Sequence, residues 1–408
     1  MKGIDAMSKY VRLLALVPVF LIALWIGNSF FKYFTHNSVP KVEIIGVRDG
    51  GVYKGIINCF VEGDSDYKVS CVSVFLDNDL IPIDGAQYVK SKKFNLPFKI
   101  DTSSLVEYEH TLKLEAVDSS YKVNKLSEII KFYVDNVPLK SAFMHDGYKV
   151  EQGKTLHLKM QLNKQVDFAE ANVFSQKYCF YPESENSTVY ECFIPIDCEQ
   201  HPDEYLIEAK VIDRVGNHSI ANNTVKICEF NFPRQKGFTV SSTKLNNEKE
   251  ISMDDRIKQD ALGKWLNDSP RKKLWSGPFE VPTIVKRLST PYGEIRVTPQ
   301  RGRYYHKAVD IVNNPNSVIW ASQNGKVIIK DRYLLSGNTV IIDHGLGVFT
   351  KYFHLNDFAD IEVGDFIKKG EPVGKLGMTG YANGPHLHWE LTINNVAVDP
   401  FEWTKKIF

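Results

Sequence analysis

Two histidines one residue apart, His386 and His388, open a segment reading His-Leu-His-Trp-Glu-Leu. On an extended strand, residues i and i+2 face the same side, so both imidazoles are presented to one place and Leu387 to the opposite layer. Neutral imidazole is a good zinc ligand. His306-Lys-Ala-Val-Asp310 is a second element, carrying an imidazole and a carboxylate. Brought beside His388, these complete a three-ligand set that leaves a position open for water, the arrangement of catalytic rather than structural metal sites. His344 and His354 lie in the same stretch, so five of the eleven histidines fall between positions 306 and 388.

The elements that must position these residues are strands. Ser317–Ser322, Lys326–Lys330, Thr339–Asp343, Val348–Phe353, Pro372–Leu376 and His386–Ile393 form a series punctuated by Gly345, Gly347, Gly364, Gly370, Gly377, Gly380 and Gly384. This predicts an antiparallel all-β domain over residues 286–408. Asn324-Gly325 between the first two runs predicts a hairpin.

His306-x-x-x-Asp310, Tyr352-Phe353-His354-Leu355 and Gly384-Pro385-His386-Leu387-His388 occur in this order. With Asn338 to Gly345, Val363-Gly364-Asp365 and Lys368-Lys369-Gly370, they resemble the motifs of the lysostaphin-type, or LytM-like, zinc metallopeptidases, with their duplicated hybrid motif fold. The resemblance runs from about Thr290 to Phe401, and it is specific because several motifs agree at once. It implies that His306, Asp310 and His388 bind Zn2+ and that His354 and His386 are the catalytic histidines. It also implies a substrate class, the stem peptides or cross-bridges of bacterial peptidoglycan. Ala308 stands where the family usually has glycine. A left-handed backbone there would strain alanine by about 1 kcal/mol, and the small methyl group is expected to be accommodated. His344 is expected to make a structural hydrogen bond at a strand end. A different class of function, a catalytically silent envelope scaffold that binds peptidoglycan or activates another wall hydrolase, is the alternative.

The rest of the chain carries no comparable cluster. Residues 39–139 and 140–235 read as short strands and turns, such as Asp49-Gly50-Gly51 and Asp84-Gly85, and predict two immunoglobulin-like β-sandwich modules. Leu206 to Asp213 echoes Leu112 to Asp118, which is why the two look like tandem repeats. Their histidines, His110, His145, His157, His201 and His218, are scattered and read as surface or satisfied side chains. Residues 236–285 form a linker with one amphipathic helix, signalled by the capping pair Ser252/Asp255 and by Ile257, Ala261, Leu262, Trp265 and Leu266 at helical spacing.

At the N-terminus, Lys2, Lys9 and Arg12 precede an apolar run from Leu13 to Phe31, long enough to cross a hydrocarbon core. Residues 1–36 are expected to be a membrane anchor or uncleaved signal in the inner (cytoplasmic) membrane, with the bulk of the chain in the periplasm or outside; a cleaved secretion signal is the alternative. Fifty basic against 49 acidic residues, with no long basic run, give no electrostatic footprint for nucleic acid. Six cysteines with no CxxC spacing argue against a structural zinc knuckle; Cys59 and Cys71 could bridge one hairpin, and small buried thiols that stay reduced are the equal alternative.

Overall fold

The computed structural model describes residues 2–84, 88–235, 262–263, 265–298 and 302–408, with the side chains of the N-terminal helix described from Val17 onward. Ser252 and Asp255 lie outside the described residues. The chain divides into two compact units. One holds residues 1–138 with 214–217, and the other holds 139–213 with 218–408.

The first unit begins with a helix, Lys2–Thr35, whose segment Val17–Thr35 is apolar and wholly unburied. The remainder is one seven-stranded sheet built on the long strand Ile56–Leu76. The first half of that strand pairs with Val42–Ile45 and Ser91–Asp101, and its second half with Glu109–Asp118. The register breaks between Asp64 and Val69 let the two halves wrap one core of Val61, Val74, Leu112, Leu114 and Phe132. Cys59 and Cys71 therefore sit on the same strand, and a single strand offers no hairpin for them to bridge. All six cysteines are free thiols.

In the second unit, residues 141–228 form two sheets of four and five strands over a shared core that includes Leu158, Met160, Ile194, Ile207 and Val225. The sequence echo has a structural counterpart. Asp118 and Asp213 are both buried where the penultimate strands end. Asp118 accepts from the backbone of Ser120 and Asn124, and Asp213 pairs with Lys164 at 2.6 Å.

Residues 287–398 form a ten-stranded sheet plus a two-stranded hairpin, Glu294–Thr298 with Gly302–His306, and every pairing within them is antiparallel. Val348–Phe358 runs through the middle, buried along its first eight residues between Gly337–Asp343 and Leu387–Ile393. The hairpin predicted at Asn324-Gly325 does not form among the described residues. Val318–Trp320 pairs with Pro372–Leu376, and Gly325–Tyr333 with Gly337–Asp343. The glycine answers a different need, close backbone approach: a Cβ at 325 would lie 2.5 Å from the Asp343 carbonyl and 2.9 Å from His344 Nδ1. Leu262, Trp265 and Leu266, from the helical segment before the sheet, pack on Ile328, Ile341 and Phe349.

The sandwich and the ten-stranded sheet share side chains. Phe193 of the sandwich packs between Trp275, Trp403 and Phe408. The Trp403 indole donates to Thr155 Oγ1 at 2.9 Å, and the Thr155 amide donates to Glu402 at 2.8 Å. Lys154 pairs with Asp399, and Lys273 with Glu191, both at 2.6 Å.

Candidate metal and catalytic site

Three strands and one hairpin converge on the site. Asp310, on Val309–Val312, lies directly opposite His388 of Leu387–Ile393 in an antiparallel ladder. His306 closes the strand Gly302–His306, four residues before Asp310. His306 Nε2 stands 3.3 Å and His388 Nδ1 3.1 Å from the same oxygen, Asp310 Oδ1. His386 comes just before its strand, with Nε2 3.8 Å from that oxygen. Leu387 between them is fully buried in the opposite layer, as the period of two requires.

His354 reaches the site through a backbone irregularity. Phe353 stacks on His388 at 5.1 Å, almost parallel, so the next residue of a regular strand would face away. Instead His354 takes φ of +60°, where the pairing with Gly337–Asp343 also slips register. Such a bulge re-aims a side chain, and left-handed backbone on a non-glycine residue is concentrated at functional sites. The ring then lies 4.8 Å from His386 and 5.9 Å from His388. His354 thus sits within the strand Val348–Phe358, which runs past the Phe353 end expected from the sequence.

Backbone carbonyls fix both tautomers. A carbonyl only accepts, so Nδ1–H of His354 donates to Thr379 O at 2.9 Å and Nδ1–H of His386 to Gly384 O at 2.8 Å. In each neutral ring the Nε2 lone pair remains available. Gly337, at φ +65°, lets Thr379 lie close enough to accept, because any Cβ there would overlap Thr379.

The electrostatics are those of a cation site. Burial raises Asp310, but the hydrogen bonds and charges of His306 and His388 outweigh it and hold the carboxyl well below its usual range. Burial disfavours charge on His388, yet Asp310 and Glu390 lift it to about 9. In the metal-free pocket a proton on His388 therefore balances Asp310, and a bound metal would displace that proton. Burial lowers His306 despite Asp310, keeping that ring neutral. Burial, then the charges of His388 and His386, push His354 down to about 3.

A metal fits these residues. Ligand atoms about 2.0–2.1 Å from a tetrahedral zinc ion lie about 3.3 Å from one another, close to the spacings found here. Ala308 is buried and its φ is not positive, so alanine carries no backbone strain.

Sequence reasoning missed the support around His388. Glu390 continues the period of two, with Oε2 3.9 Å from His388 Nε2, and buried Lys351 on the neighbouring strand holds its other oxygen at 2.6 Å. Burial opposes the Glu390 charge, but Lys351 and His388 bring it down to about 2. The signal was present in His386-x-His388-x-Glu390. Lys351→Met strands this carboxylate in the interior, and equilibrium urea unfolding of the metal-free chain is expected to show a loss of about 3 kcal/mol.

His344 lies outside the cluster. Its Nδ1–H donates to Asn324 O at 2.7 Å, and Nε2 is 2.7 Å from Thr350 Oγ1. Burial lowers it to about 4. The unfolded chain, with histidine near 6.5, binds the extra proton first as pH falls. Stability from this group is therefore complete above about pH 6.5 and is lost down to about pH 4, by about 3 kcal/mol in total. His344→Gln is expected to flatten that part of the stability–pH curve, which is measured as the difference from the parent chain.

Residues 304–400 match Peptidase family M23. Peptidoglycan DD-endopeptidase ShyC of Vibrio cholerae is 33% identical over 168 residues, covering 40% of this chain and 37% of that protein. DD-carboxypeptidase/endopeptidase Mpg of Neisseria meningitidis is 36% identical over 126 residues, covering 30% of this chain and 29% of that one. The chain thus spans 37% and 29% of these relatives' length. Among solved structures, an M23 peptidase of Pseudomonas aeruginosa aligns at 22% identity with a TM-score of 0.44, covering 62% of this chain and 94% of that one. The lysostaphin catalytic domain of Staphylococcus simulans aligns at 26% identity with a TM-score of 0.26, covering 35% and 97%. The C-terminal region of this chain is a peptidase M23 domain.

Proposed function

We propose that this chain is a zinc metalloendopeptidase that hydrolyses peptide cross-links of bacterial peptidoglycan. The observation that carries the reading is the convergence of His306, Asp310 and His388 on one oxygen-centred cluster, with His354 and His386 beside it. His306 Nε2, Asp310 Oδ1 and His388 Nδ1 would hold the ion. When bound, zinc supplies Lewis-acid polarisation of an amide carbonyl and acidifies water. The protein's own groups handle the proton. His354 and His386 each leave the Nε2 lone pair free to accept, because their Nδ1–H is committed to a carbonyl. The ring that takes the proton becomes a donor, able to hydrogen-bond a developing oxyanion or return the proton to the leaving amine. Phe353, flat against His388, narrows the freedom of that ligand.

The peptidoglycan substrate rests on the relative ShyC, named a peptidoglycan DD-endopeptidase, and is in keeping with Mpg, named a DD-carboxypeptidase/endopeptidase. The apolar helix Val17–Thr35 supports an anchor in the cytoplasmic membrane, with the β domains outside it in the cell envelope. Elemental analysis of the purified full chain tests the metal: one zinc per wild-type chain and none in His388→Ala is the expected pattern. A folded wild-type protein that takes up no metal would overturn the enzymatic reading in favour of the scaffold.

A further inference from the structure

The hairpin that delivers His306 is a separate two-stranded sheet, outside the ten-stranded one. Its placement therefore depends on what holds it from outside. Three contacts come from the sandwich side. Residues 233–235 run along its edge, where Ile295 N donates to Pro233 O at 2.8 Å and Gln235 N to Ile295 O at 3.0 Å. Phe232 packs edge-on against Tyr305 at 5.7 Å. Lys307, next to His306, extends to the loop after the sandwich strand Val189–Pro195, with Nζ 2.7 Å from Asp197 and 3.1 Å from Glu199.

We infer that Lys307 is a positioning residue for the metal centre, locking His306 in place through its ion pairs with Asp197 and Glu199 of the sandwich. This rests on the metal reading of the site. Consecutive residues near a strand end project to opposite sides, so His306 faces Asp310 while Lys307 faces the loop, and fixing one side chain fixes the other's backbone. The loop is itself held. Cys198 is fully buried in the core of the M23 domain with Tyr292, Ile295 and Val309, and Asp197 Oδ1 accepts the Glu199 amide at 2.9 Å. Asp197, Cys198 and Glu199 could be mistaken for a second metal site. The Lys307 ammonium already supplies the cation there, and burial, then Asp197, push the Cys198 thiol up to about 12, far from a thiolate ligand.

The test compares the full-length wild type with Lys307→Met, Lys307→Arg and the double variant Asp197→Asn/Glu199→Gln. Zinc affinity is read by competition with a chromophoric chelator, Co2+ coordination by its visible spectrum, and folding by thermal melting without metal. Lys307→Met and the double variant are expected to weaken zinc binding about tenfold and alter the Co2+ spectrum, the effect typical of losing a group that orients a ligand. Lys307→Arg is expected to restore both. Should Lys307→Met fail to fold, the double variant decides, since its lysine is intact. Zinc affinity within about twofold of wild type and an unchanged Co2+ spectrum in the folded variants would overturn the tether, as would a loss confined to melting temperature. A wild type that binds no metal would overturn the functional reading and the tether together. Metal uptake unchanged by the substitutions would overturn the tether alone.

Discussion

His354→Ala is expected to lower kcat on peptidoglycan by a factor on the order of 10²–10⁴ while leaving the metal in place, as judged by elemental analysis beside initial rates. The proposed ligands are His306, Asp310 and His388, none of which the substitution touches. It removes an Nε2 held toward the cluster by the Thr379 carbonyl behind it. His386→Ala is expected to act likewise, since Gly384 O orients that ring in the same manner. Loss of the metal in either variant would make the residue a ligand instead. Replacing His354 also changes the side chain at a left-handed backbone position, so melting of the metal-free variant should accompany the rates.

Trp403→Ala is expected to cost about 4 kcal/mol and to loosen the sandwich together with the peptidase. The indole is among the largest fully buried side chains. It touches Phe193 of the sandwich, together with Trp275, Phe279 and Phe408, and donates to Thr155. Removing it opens a cavity at a boundary where two sheets share one aromatic cluster, and leaves the Thr155 hydroxyl without that donor. Calorimetry would show one lowered transition for this unit. A peptidase transition that falls while a sandwich transition stays put would mean that the two fold independently. The same coupling predicts that residues 240–408 alone are a poor enzyme, because Phe193, Asp197 and Thr155 are missing.

Part of the chemistry was legible in the sequence through short-range periodicity, since His386 and His388 share a face by alternation alone. The places of His306, Asp310 and His354 came from the resemblance, because these residues sit on three different strands. Glu390 obeyed the same rule but was passed over, because its meaning depends on Lys351 from another strand. The Asn324-Gly325 hairpin was misread because glycine there serves close packing against Asp343 and His344, a contact no local pattern encodes. Cys59 and Cys71 were set across a turn because a 21-residue strand is far longer than the usual five or six. The weld between sandwich and peptidase was invisible for a related reason. Thr155 and Trp403, or Asp197 and Lys307, are joined by topology and lie more than a hundred residues apart.

Digestion of purified sacculi by the full-length chain, stripped of metal and then reconstituted with zinc, tests the central claim most directly. The products are read by mass spectrometry beside His354→Ala. The account predicts that zinc restores release of muropeptides cut at a cross-link amide and that the variant, though metal-loaded, releases almost none. Zinc-loaded wild-type protein that leaves the cross-links intact, or releases them equally well with His354 replaced, would contradict it.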